Sequence, residues 1–138
     1  MSYRIHSLEL HKTITPGTDS PDSDGTFAIL AFSSLVEKGN LEPKTEDHLA
    51  GGETATEIPS GYYLFAQGTC GAEEGRDLFA PELKSLYRQA AEEVWLESLW
   101  REKEFADSRV FVRLLREDGK TAFQIFRKVL PGENDVQL

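Results

Sequence analysis

Apolar and polar positions alternate most clearly near the C-terminal end of this chain. From Arg109 the residues run Val110, Phe111, Val112, Arg113, Leu114, Leu115, Arg116 and Glu117, then Asp118-Gly119, then Lys120 to Val129. Two β-type runs around an Asp-Gly pair predict a hairpin with a two-residue turn. That turn sets a register in which Glu117 faces Lys120, Leu115 faces Ala122, Leu114 faces Phe123, Arg113 faces Gln124, Val112 faces Ile125 and Phe111 faces Phe126. Because side chains alternate along a strand, Val112, Leu114, Phe123 and Ile125 share one face, a natural surface for a helix. Phe111, Leu115, Ala122 and Phe126 share the other, with Arg113 and Gln124 among them. Two expectations follow for this second face. It is a smaller cluster covered by long loops, with Arg113 reaching outward on its aliphatic stem. Or it is a ligand or partner surface, in which aromatics supply contact and Arg113 and Gln124 supply orientation.

Upstream, residues 3–14 predict a first strand. Tyr3 and Ile5 share one phase and Leu8, Leu10 and Ile14 the other, which calls for a bulge near Ser7 or for burial on both faces. Residues 15–25 are dominated by Pro, Gly, Ser and Asp and predict a loop with no apolar anchor. The unbroken run from Phe27 to Phe32, continued by Leu35-Val36, predicts a central strand covered on both sides. Residues 37–57, polar and acidic with Pro43 and Gly51-Gly52, predict a long connection, and mobility there. Ile58 to Gly68 predicts a third strand entered through Pro59, and residues 68–76 a glycine-rich loop.

One helix is predicted over Pro81–Phe105. Proline suits its start, Glu82 complements its positive end, and Leu83, Leu86, Tyr87, Ala90, Val94 and Leu99 recur at helical spacing, widened by Trp95 and Trp100. Glu97 and Arg101 form an i,i+4 pair on it. Residues 131–138 predict a frayed tail. The resulting order, β-β-β-α-β-β, predicts a single α+β domain over residues 1–138: an antiparallel-rich sheet packed against one long helix.

Charge narrows the function. With 24 acidic against 15 Lys and Arg residues the net charge is -9, which argues against nucleic acid and against an anionic membrane surface as partners. The single cysteine, Cys70, allows no internal disulfide. No apolar run has signal-peptide length or approaches the roughly 20 residues of a membrane span, so the expected location is cytoplasmic.

Several chemistries find no support. The acidic stretch Ser20-Pro-Asp22-Ser-Asp24-Gly25 would place Ala31 where a calcium loop needs its bidentate Glu. Gly68, Gly71 and Gly75 are followed by no Gly-Lys-Ser/Thr and sit beside Glu73-Glu74, which would repel phosphate. His6, His11 and His48 lack metal-ligand spacing. Glu92, Glu93 and Glu97 lack the Glu-x-x-His pairing of di-iron bundles. Cys70 has no histidine near it in sequence. No metal, cofactor or catalytic residue is therefore assigned.

The stretch Ile58-Pro59-Ser60-Gly61-Tyr62-Tyr63-Leu64-Phe65, a glycine loop, and a helix containing Ala91-Glu92-Glu93-Val94-Trp95-Leu96 resemble the second half of gyrase-inhibitor-like effector-binding domains. The resemblance covers about residues 58–100. It implies binding of small, often aromatic or cationic molecules in a cleft lined by aromatics and an acid, and no site residue is carried over from it. The leading expectation is a non-enzymatic binding module for a small molecule or a protein partner, regulatory in character. Its candidate pocket residues are Tyr62, Phe65, Trp95, Trp100, Phe111, Arg113, Gln124 and Phe126. Two alternatives stay open: a homodimer formed through the Phe111/Phe126 face, and an enzyme of unknown type using Cys70 or scattered acids.

Overall fold

The computed structural model describes residues 3–18, 23–36, 49–70 and 78–131. Within them the chain forms β1 (Ile5–Leu10), β2 (Gly25–Ser34), β3 (Leu49–Thr54), β4 (Gly61–Cys70), α1 (Pro81–Trp100), β5 (Phe105–Glu117) and β6 (Lys120–Val129). The six strands make one sheet in the order β1-β4-β6-β5-β2-β3, with every neighbouring pair antiparallel. The β5–β6 hairpin therefore lies at its centre. Asp118 and Gly119 take φ of 52° and 77°, the two positive values of a type I′ turn. All six cross-strand pairs expected from the Asp-Gly turn are present.

That register sorts the side chains into two layers. Leu30, Phe32, Leu64, Val112, Leu114, Phe123 and Ile125 pack with Leu83, Tyr87, Ala90 and Val94 of α1 in the main core. On the opposite face Ile29, Tyr63, Phe111 and Phe126 form a second cluster with Ile58, flanked by Leu8, Leu10, Ile14, Ala55 and Phe65. Segments 11–17 and 55–59 meet over this cluster through a backbone pairing of Ile14 with Ile58, bonded in both directions at 2.9 Å. These segments cover the cluster, whereas Arg113, expected to reach outward, is held by Thr26 Oγ1 and Gln124 Oε1.

The α+β class is as expected, with one more strand. Residues 49–54 of the expected long connection are β3, an edge strand that sends only Leu49 into the core; residues 37–48 of that connection lie outside those described. β1 is confined to residues 5–10 and pairs with β4 without a register shift. Its phase change reflects burial on both faces, Ile5 against the main core and Leu8 and Leu10 against the second cluster. Residues 15–18 are anchored, with Gly17 and Thr18 donating to the Thr26 carbonyl at 2.9 and 3.2 Å. Gly68 to Cys70 belong to β4 rather than to a loop. Residues 71–77 and the expected tail beyond residue 131 lie outside those described.

The helix stops five residues earlier than its spacing suggests. Arg101 caps it, Glu102 turns left-handed at φ 53°, and Lys103 N–H and Glu102 N–H reach back to the Ser98 and Leu99 carbonyls at 2.9 and 3.4 Å. This is a Schellman ending with glutamate where glycine is usual, so no glycine announced it. Arg101 also protects the sheet edge. It donates to Glu97 Oε1 (2.8 Å), Ser7 Oγ (2.6 Å) and the Ile5 carbonyl (3.1 Å), tying α1 to β1 and occupying polar groups that a foreign strand would otherwise pair with.

Tyr87 sits at the centre of the main core, its ring 5.5 Å from Phe123 and 5.9 Å from Phe32, its hydroxyl donating to the Leu78 carbonyl at 3.3 Å. Burial, with a smaller push from Cys70, raises its phenol well above the ordinary value of 10.0. The folded state thus keeps a proton that the unfolded chain loses above pH 10, and stability falls as pH rises through that range. Urea unfolding between about pH 9 and 11 should cost the wild type more stability than Tyr87→Phe, by up to about 1.4 kcal/mol per pH unit above pH 10. Parallel losses would show that Tyr87 ionises alike in both states.

Candidate functional site

Two irregularities in strand pairing shape one end of the sheet. Between Ala31 and Ser33 the β2–β3 register slips, because β3 places Gly51 and Gly52 opposite the single residue Phe32. On the other side of β2, the β5–β6 pairing slips between Phe105 and Val110, so residues 106–109 leave β6 while Arg109 still pairs with Ser33 of β2. Bulges bend a strand and re-aim its side chains. Here they wall a cleft of about 410 Å³ bordered by Ala31, Ser33, Gly52, Glu53, Ser108 and Arg109, among others. A second hollow of about 340 Å³ shares Ala31, Glu53 and Arg109 with it and adds Thr54, Glu57, Pro59 and Phe111.

The charges at this junction are distinctive. The Arg109 guanidinium lies over the Phe111 ring, 5.5 Å from its centroid, a cation–π placement. The Asp107 carboxylate accepts the Arg109 backbone N–H at 2.8 Å. The floor between Arg109 and Glu53 is built from small side chains, since Ala31 pairs with both Phe111 and Glu53 and Ser33 with both Arg109 and Ala50.

The eight residues singled out from the sequence do not converge on one pocket. Phe65, Phe111, Arg113, Gln124 and Phe126 lie on the second face. Phe65 stacks on Phe126 at 5.5 Å, but Phe111 and Phe126 are buried. Arg113 is engaged within the chain: its Nε donates to Thr26 Oγ1 at 2.6 Å and its Nη1 to Gln124 Oε1 at 3.1 Å. Gln124 Nε2 donates to Gln67 Oε1 at 2.9 Å. Burial lowers the Arg113 pKa, and Glu117 acts against that shift. Tyr62 packs toward the helix layer and borders a separate hollow of about 260 Å³ with Ser7, Glu9 and Lys103. Trp95 is buried on α1, and Trp100 is 85% exposed at its end. Of the eight, only Phe111 borders the paired clefts.

Arg127 escaped the sequence reading. It occupies the core phase of β6 between Ile125 and Val129 and is 3% exposed. Its guanidinium stands 3.8 Å from the Phe105 ring centroid and donates to the Asp107 carbonyl at 3.0 Å and the Val36 carbonyl at 3.5 Å. It thereby ties the bulged stretch of β5 to the chain leaving β2, and so braces a wall of the larger cleft. The signal was available: in the hairpin register, Phe123, Ile125 and Val129 share their phase with an arginine, and a cation in a core phase needs an explanation.

Among the described residues no group of three or more His, Cys, Asp or Glu side chains could hold a metal ion, and no helix is long and apolar enough to cross a membrane. Compared with protein-family models, curated proteins and solved structures, the chain matches none. None of these comparisons bears on the resemblance of residues 58–100 to gyrase-inhibitor-like domains.

The β3 bulge is held by one glycine more than by the other. A Cβ on Gly52 (φ 140°) would approach Phe32 Cε1 to 2.5 Å and Phe79 Cε1 to 2.9 Å, whereas one on Gly51 (φ 66°) meets nothing within 4 Å. Gly52→Ala should destabilise the protein by about 2–4 kcal/mol, and Gly51→Ala by about 1–2 kcal/mol of backbone strain alone. Urea unfolding of both variants checks this order; equal losses would show that the Phe32 and Phe79 contacts do not constrain the bulge.

Proposed function

We propose that this protein is a small-molecule-binding module whose site is the pair of joined clefts at the β2–β3–β5 end of the sheet. One observation carries the reading: two bulges on opposite sides of β2 open adjoining hollows of about 410 and 340 Å³ that meet at Ala31, Glu53 and Arg109. Each volume lies within the range of small-ligand sites. The site offers a guanidinium resting on an aromatic ring, carboxylates and hydroxyls, and among the described residues none of these hydroxyls is hydrogen-bonded to a carboxylate, so binding rather than catalysis is the function proposed. Arg113 and Gln124 support the sheet from within the chain instead of meeting the ligand. A homodimer through Phe111 and Phe126 is not proposed, because segments 11–17 and 55–59 already cover that cluster.

A fragment screen read by backbone amide NMR tests this. Hits should shift Ala31, Glu53, Ser108 and Arg109 together, and Arg109→Gln should weaken them about tenfold, or about 1.4 kcal/mol. Hits that gather instead around Gln67, Arg113 and Gln124, or around Tyr62 and Lys103, would overturn the assignment.

A further inference from the structure

Arg109 and Glu53 border both hollows, yet neither has an ion-pair partner among the described residues. Their positions explain why they do not pair with each other. Arg109 belongs to β5 and Glu53 to β3, with β2 between them, so their backbones stand two strand spacings, about 10 Å, apart across the sheet. Resting on Phe111 brings the guanidinium over the row Phe111–Ala31–Glu53. A positive and a negative group thus face a shared floor of Ala31 and Ser33, separated by a gap that a ligand can bridge.

The surrounding charge limits what that ligand can be. Glu57 and Asp107 also border the clefts, and the chain as a whole carries a net charge of -9. A simple anion would meet Arg109 but be repelled by the carboxylates around it, and a simple cation would meet Glu53 but leave Arg109 without a partner. A molecule with an anionic end and a cationic end matches both.

We infer that the ligand is a small zwitterion of amino-acid to dipeptide size, its carboxylate held by Arg109 and its ammonium by Glu53. The inference rests on the reading of these clefts as the binding site. Side chains leaning in from strands about 10 Å apart leave a shorter gap, which a free amino acid, about 3.5 Å long with a hydrogen bond of about 2.9 Å at each end, bridges at about 9 Å; a dipeptide, about 13 Å when fully extended, bows out of the open cleft. Guanidinium also suits a carboxylate geometrically, since its planar fork donates two parallel hydrogen bonds.

The test is an amide NMR titration with free amino acids and dipeptides, each beside its N-acetyl and C-terminal amide derivatives. At least one zwitterion should shift Glu53, Ser108 and Arg109 saturably, with both capped forms bound about tenfold more weakly or worse. Arg109→Gln and Glu53→Gln, both at exposed positions, should each cost a similar factor, the first abolishing discrimination against the amide and the second against the N-acetyl form. Capped forms that bind as tightly as the parent would overturn the inference, as would a panel in which no zwitterion binds. If uncharged fragments still shift these residues, the zwitterion inference falls alone; if they too leave the clefts untouched, the site assignment falls with it.

Discussion

The two-residue turn at Asp118-Gly119 is the constraint on which this structure most depends. Its paired positive φ values match the twist of the strands it joins, and they fix which residue of β5 faces which residue of β6. Since these strands are the middle of the sheet, every other strand inherits its facing from them. A slip by one residue would turn Val112, Leu114, Phe123 and Ile125 away from α1 and carry Arg113 and Gln124 into the main core. Burying those polar groups without their present partners, Thr26 and Gln67, would be costly.

Away from the turn the same sheet departs from regularity, and there the surface opens. The β3 bulge reconciles two opposing demands on a short edge strand. Leu49 and Glu53 are four residues apart and would share a face in a regular strand, yet Leu49 packs in the main core while Glu53 pairs with Ala31 of the second face. The extra residue at Gly51-Gly52 makes both possible. The β5 irregularity is stabilised from beneath by Arg127, whose buried guanidinium bonds the Asp107 and Val36 carbonyls and stacks on Phe105. The clefts are thus a product of pairing defects held in place by a packed core, which fixes the strands that carry Arg109 and Glu53.

How much of this could be read from the residues depended on how many of them shared each signal. The hairpin was fully legible, because an Asp-Gly pair between two alternating runs specifies turn type and register together. The start of α1 was legible from Pro81 and Glu82, but not its end, where Glu102 takes a conformation normally advertised by glycine. Trp100 widened the apparent stripe although it is solvent-exposed, and Phe105, the expected helix end, opens β5. β3 was invisible, since Leu49-Ala-Gly-Gly-Glu-Thr commits one large apolar side chain to the core. The candidate site was the least legible part. Aromatic content pointed to Phe111 and Phe126, which burial claims for the fold, whereas the cleft arises where strands β2, β3 and β5 come together over distant parts of the chain.

Native-state hydrogen exchange tests the central role of the hairpin most directly, because it reads the opening free energy of each strand separately. The hydrogen-bonded amides of β5 and β6 should exchange only through global unfolding, with the highest opening free energies in the chain. Those of the edge strands β1 and β3 should open at lower cost. Exchange of the β5–β6 amides at lower free energy than those joining β1 to β4 or β2 to β3 would contradict the dependence of the sheet on its central turn.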